Sequence, residues 1–239
     1  MRIEQTNEDI ELVIPVYRGE EERLIIWLTS LWTTRGDARV CVTLVDADGV
    51  RTTAHPALAA IPASIEWCDG TAHRGDHARL LEAGFAHARQ ARPASAFVAV
   101  SHADVVALAD GWLDAALERL MAHGVYVVSF APAGRLVMGD GHELAYPDDW
   151  LLVARREVFD EIGFGPPELR GFAWAAWLHI AIGRRGWHGA VIDGGDYPLA
   201  VHAAARLRTG RGRHADAGVM DELAVLRRET ERLFTGASI

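Results

Sequence analysis

Residues 10–28 constrain the fold most. An apolar run, Ile10-Glu-Leu-Val-Ile-Pro-Val16, reads as a buried strand. It ends in the turn Tyr17-Arg-Gly19 and opens directly into an amphipathic helical pattern over 20–31. The same logic returns at 96–105, where Phe97-Val-Ala-Val-Ser101 runs into His102-Ala-Asp104. Further strands are expected at 40–45 and 64–68, with a short helix at most over Pro56–Ala60 and a long one over 75–91. Strand and helix thus alternate through the first half, which implies a parallel sheet with helices on both faces. Open sheets of this kind bind ligands at the carboxyl ends of their strands. A His and an Asp two residues apart at such an end offer donors for a divalent ion.

The second half alternates less regularly. Asp110 is expected to cap a helix running to about 122. Strands are expected near 125–130, 135–138 and 150–154, helices over Arg156–Ile162 and Gly171–Arg185, and short strands at 189–193 and 198–202. A final amphipathic helix is expected over 216–234, after a basic, glycine-bearing loop from Arg206 to Arg213. There is no internal repeat and no low-complexity linker.

Composition removes several classes. Lysine is absent from the 239 residues, so all 24 basic residues are Arg. A Walker A loop, a pyridoxal Schiff base and a protein-kinase site each need a lysine. A formal net charge of −9 argues against duplex nucleic acid as a partner. No apolar run reaches the length of a membrane span, and the acidic, polar start does not read as a signal peptide. The expectation is a soluble, cytoplasmic protein, and the lysine-free, Ala- and Arg-rich composition suggests a bacterial, high-GC source. Cys41 and Cys68 each fall in an expected apolar strand, which reads as two buried thiols rather than a disulfide or zinc site.

Several motifs, taken in order, resemble the family 2 glycosyltransferases of the GT-A fold. Pro15-Val-Tyr17 with Gly19-Glu-Glu resembles the opening strand and helix. Val45-Asp46-Ala-Asp48-Gly49 resembles the acidic turn after the second strand. His77-Ala-Arg79 through Gly84 and Ala88 resembles the family's Ala-Arg-Asn-x-Gly helix. His102-Ala-Asp104-Val-Val, then Gly111-Trp112-Leu113, resembles the metal-binding segment, close to its bacterial His-Gln-Asp-Val form. Leu151 through Gly163-Phe164 resembles the acceptor-side strand and helix, and Gly183-Arg-Arg-Gly186-Trp187 the end of the next helix. The match covers about residues 10–203.

The resemblance implies a single α/β domain of GT-A (Rossmann-like) type. Its central sheet would be mostly parallel with helices on both faces, its nucleotide-binding half about 1–105 and its acceptor-side half about 106–239. It implies a nucleotide-diphospho-sugar donor at Pro15, Tyr17, Asp46, Arg79 and Asp104, an unidentified acceptor, and possible homo-oligomers. It also implies Mn2+ or Mg2+ held by Asp104, His102 and His202.

The departures are equally specific. The family's Glu-Asp pair, whose Asp is the expected catalytic base, falls on Trp174-Ala175, and a second acidic position falls on Trp177. Arg18 and Leu80 stand where Asn is common. Glu168, Asp148 or Asp149 would have to substitute as base.

Each residue also has a plainer reading. Asp46 is either a base-recognition residue or ordinary Asp-x-Asp-Gly turn chemistry. Arg79, with Arg74 nearby, either pairs with a diphosphate or is a solvated helix charge. Asp104 is either a ligand or a loop carboxylate, and His102 either a ligand or a donor to a carbonyl. Trp174, Trp177 and Trp187 are either core or a platform for a sugar ring. The alternative to a transferase is a catalytically degenerate relative that binds a nucleotide sugar or a protein partner. A nucleotidyltransferase would want a glycine-rich loop and a lysine, and a methyltransferase a Gly-x-Gly turn after Val16; neither is present.

Overall fold

A computed structural model describes residues 9–53, 56–59, 61, 64–130, 134–137, 143–146, 149–169, 174–192, 200–202 and 228. The first half contains β1 (Asp9–Val16), α1 (Glu21–Thr34), β2 (Arg39–Asp46), α2 (Pro56–Ala59), β3 (Ser64–Asp69), α3 (His77–Ala91) and β4 (Phe97–Ser101). There follow β5 (Val105–Ala107), α4 (Trp112–Met121), β6 (Val125–Ser129), β7 (Gly134–Val137), β8 (Glu143–Tyr146) and β9 (Leu151–Arg155). The described elements end with α5 (Arg156–Glu161), α6 (Trp174–Arg184), β10 (His188–Val191) and β11 (Ala200–His202).

A seven-stranded sheet runs in the order β10-β6-β9-β4-β1-β2-β3. Its pairs are parallel except those of β9, which is antiparallel to both β4 and β6. The mixed, mostly parallel sheet flanked by helices is the expected fold class. Two small ribbons stand apart, β5 with β11 and β7 with β8.

The central strands β1, β4 and β9 are largely apolar because both faces are covered. Alternate residues of β1 serve opposite cores. Ile10, Leu12 and Ile14 join Leu24, Trp27, Leu28 and Leu31 of α1 and Trp112 of α4. Val13 joins Val45, Val98 and Val100 against Leu81 and Phe85 of α3 and Trp174 of α6.

Some expectations change. Asp110 does not cap α4: Gly111, at φ 75° in the left-handed region, holds that position, and no side chain caps the helix. A glycine there costs nothing in strain. Strands β5 and β8 were not expected; their short runs carry too little period to read. Cys41 and Cys68 form no disulfide and are half-buried rather than buried, although burial still raises the Cys68 thiol. The loop 206–213 and the helix 216–234 lie outside the described residues, apart from helical Arg228. No described helix is long and apolar enough to cross a membrane.

Candidate functional site

The register of the parallel strands fixes where the candidate residues lie. Val16 of β1 stands beside Asp46 of β2, and Val13 beside Val100 of β4. The carboxyl ends of β2, β1 and β4 therefore adjoin at one sheet edge. A cleft of about 200 Å³ opens there, lined by Pro15, Tyr17, Glu20, His77, His102, Ala103 and Asp104.

The turn after β1 builds one wall. The Tyr17 N–H donates to the Glu20 carboxylate at 3.1 Å, and the Glu20 N–H returns to the Tyr17 carbonyl at 3.2 Å. Burial, reinforced by Glu20, Asp48 and Asp76, pushes the Tyr17 phenol up to about 12. Burial also raises the Glu20 carboxyl, opposed by the Tyr17 N–H and aided by Asp104. Asp104, 7% exposed, lies 3.9 Å from the Arg23 guanidinium of α1.

His77 and His102, which also line the cleft, form a His–His–Asp cluster with Asp149. The His102 N–H donates to the Trp150 carbonyl at 3.0 Å, which carries the β4–β9 ladder one step past its Ser101–Leu151 pair. That pairing brings Asp149 alongside His102. His77 arrives from the first turn of α3, whose N-terminus is capped by the Asp76 carboxylate accepting from the Arg79 N–H at 3.1 Å. The His77 and His102 rings meet edge-on, their centroids 5.0 Å apart. Asp149 lies 4.0 Å from His77 Nε2 and 3.8 Å from His102 Nε2. One ligand atom from each of the three lies within 4.8 Å of the other two. Burial, then the neighbouring His102, pushes the His77 imidazole down to about 3. The partial positive charge at the α3 N-terminus acts in the same direction.

The remaining expected residues fall elsewhere. Asp46 stands at the same sheet edge without lining the cleft. Its carboxylate accepts from the Asp48, Val50 and Arg51 backbone N–H groups at 3.3, 2.7 and 3.0 Å, which is turn chemistry. Arg79 also does not line the cleft; it donates to the Gly165 carbonyl at 2.7 Å and pairs with Glu82. His202 lies on β11 with its backbone beside Val105, next to Asp104. Glu168 is exposed after α5, and Asp148 lies outside the described residues.

Trp174 and Ala175, in the first turn of α6, are buried in the core, as is Trp177. Trp174 stacks with Phe159 and Phe164, while Trp187 stacks on Tyr126 at 4.1 Å. Trp174 and Trp177 are buried, and Trp187 is half-buried. Glu20 and His77 were not expected at the site. Glu20 opens a helix like many acidic residues, and His77 meets its partners only through the topology.

No family model matches the chain, and no curated protein matches it. Among solved structures it is similar to the mannosyltransferase PcManGT from Pyrobaculum calidifontis, in complex with GDP-Man and Mn2+. The TM-score is 0.64 at 16% identity, over 98% of this chain and 76% of that one. The chain therefore shares the fold of that mannosyltransferase.

Proposed function

We propose that this protein is a glycosyltransferase of the family 2 type that takes a nucleotide-diphospho-sugar donor. The observation that carries the reading is the cleft at the ends of β1 and β4, where Pro15, Tyr17, Glu20, His102 and Asp104 converge. The similarity to a mannosyltransferase bound to GDP-Man and Mn2+ supports it at the level of fold. Residues up to about 105 would hold the donor and those beyond it the acceptor.

The Glu20 and Asp104 carboxylates give the cleft an oxygen-bearing lining of the kind that Mn2+ or Mg2+ takes, with His102 beside it. His202 would add to it from β11. Once bound, the ion would offset the negative charge of the leaving diphosphate. Tyr17, held protonated by burial, is an O–H donor on the wall of the cleft. Asp46 orders the loop after β2, where the nucleotide base would rest, and Arg79 ties α3 to the loop at Gly165.

An acceptor hydroxyl needs a base within hydrogen-bond reach. Ala175 cannot serve, so Glu168, Asp148 and Asp149 are the carboxylates to test. The buried Trp174-Ala175 pair favours a second reading, a relative that binds a nucleotide sugar or a protein without turnover.

Thermal shift with UDP-, GDP- and dTDP-sugars, with and without Mn2+, separates these readings, because a ligand of the folded state raises apparent stability. The transferase reading expects a Mn2+-dependent shift with one donor class, lost in Asp104→Ala, and slow transfer or donor hydrolysis. A shift with no turnover favours the binding relative. No shift with any donor removes both nucleotide-sugar readings.

A further inference from the structure

We propose that His77, His102 and Asp149 form a nitrogen-rich site for a borderline divalent ion of the Zn2+ class, with one coordination position open to the cleft. The inference does not require sugar transfer. Three separate elements supply the ligands: the first turn of α3, the end of β4 and the approach to β9. The ligand atoms lie within 4.8 Å of one another. An ion at their centre would be at most about 2.8 Å from each, so sub-ångström side-chain movement reaches ordinary Zn–N and Zn–O bond lengths.

The separations between the groups point to an ion rather than to a hydrogen-bonded triad. At 4.0 and 3.8 Å, the contacts of Asp149 with the two imidazoles are too long for direct hydrogen bonds. The two rings nevertheless face one carboxylate from different directions, edge to face with each other. The site is held from outside: the Trp150 carbonyl accepts from the His102 N–H and from the Ser101 hydroxyl at 3.2 Å, fixing β4 against the segment that carries Asp149.

The donor set selects the ion. Two imidazoles and one carboxylate suit Zn2+, Co2+ or Ni2+, whereas Mg2+ and Mn2+ prefer oxygen-dominated sets. Three protein ligands leave a fourth position for water or an anionic oxygen. His77 and His102 both line the cleft, so that position faces Tyr17, Glu20 and Asp104. Asp104 is not one of the three ligands.

The test is titration of chelator-treated protein with Zn2+, Co2+ and Mn2+, without any nucleotide sugar, by calorimetry and by the visible spectrum of the Co2+ form. One equivalent of Zn2+ is expected, bound at least about tenfold more tightly than Mn2+. His77→Ala and Asp149→Asn should each weaken Zn2+ binding by at least about tenfold and alter the Co2+ spectrum. Their circular dichroism in chelator should match that of the wild type. If His77→Ala does not fold, His77→Gln and Asp149→Asn carry the test. Absence of stoichiometric Zn2+ or Co2+ binding overturns the proposal. So does Zn2+ affinity that survives in the His77 and Asp149 variants, or that is lost only in Asp104→Ala. Since no donor is present, failure here leaves the transferase reading standing, and failure of donor binding leaves this site standing.

Discussion

Gly84 sets how close α3 lies to the sheet. A Cβ there would fall 2.4 Å from Val13 Cγ1 and 2.5 Å from Val45 Cγ2. Gly84→Ala gains up to about 1 kcal/mol of helix propensity but meets an overpacking cost of about 1–3 kcal/mol. With contacts this close the overpacking term wins, and the expected net is a loss of up to about 2 kcal/mol in urea unfolding; an unchanged or raised midpoint would show that α3 can slide outward freely. Ala175 poses the opposite question. At 2% exposure it belongs to the core cluster that also holds Trp174, Leu178 and the Phe159–Phe164 pair. Ala175→Asp would bury a carboxyl there, so it should lose at least about 2 kcal/mol of stability and gain no transfer activity. A stable, faster variant would instead place this position at the acceptor. Residue identity at the strand ends was legible in sequence, because Pro15, Tyr17, His102 and Asp104 each follow an apolar run. The partnership of His102 with His77 and Asp149 was not, since nothing local links three residues on separate elements.

At the scale of elements, a buried ion pair joins β1, β3 and the end of α3. Glu11, fully buried in β1, pairs with Arg92, the residue that caps α3, and accepts from the Ser95 hydroxyl at 3.2 Å. Arg92 also reaches Glu66 of β3 at 2.7 Å, and His87 lies 3.3 Å from that same carboxylate. Arg92→Ala would leave Glu11 buried with the neutral Ser95 hydroxyl as its remaining side-chain donor among the described residues. Breaking such a pair costs about 3–5 kcal/mol. A denaturant midpoint unchanged in Arg92→Ala would mean that water replaces the guanidinium. Glu11 sat in the sequence as a lone acid within an apolar strand, and its partner 81 positions later could not be read from spacing. The element order was readable because strand and helix alternate with clear periods. The direction of β9 was not: Leu151-Leu-Val-Ala154 is apolar on both faces, and an all-apolar run carries no sign of parallel or antiparallel pairing.

For the molecule as a whole, acid is the informative perturbation. His179 of α6 packs its ring over the backbone of β10, where a Cβ on Gly189 would meet His179 Cε1 at 2.6 Å. Its Nε2 is buried with no hydrogen-bond partner among the described residues. Burial pushes this imidazole down to about 4. The folded state therefore resists a proton that the unfolded chain accepts near pH 6.5. Below pH 6.5 the unfolded state binds more protons than the folded one, so stability falls as pH falls. The loss continues until the folded-state value near 4 is reached and then levels off. One such group accounts for up to about 3 kcal/mol across that window. Urea unfolding at pH 7, 6, 5 and 4 should show a decline that begins below 6.5. His179→Gln, which cannot titrate, should start less stable at pH 7, because its amide must occupy the same unpartnered space, yet lose less between 6.5 and 4. Equal slopes in the two proteins would show that His179 is protonated or hydrated in the fold. The acid sensitivity would then belong to other groups, and the α6–β10 contact would be looser than the close approach at Gly189 implies.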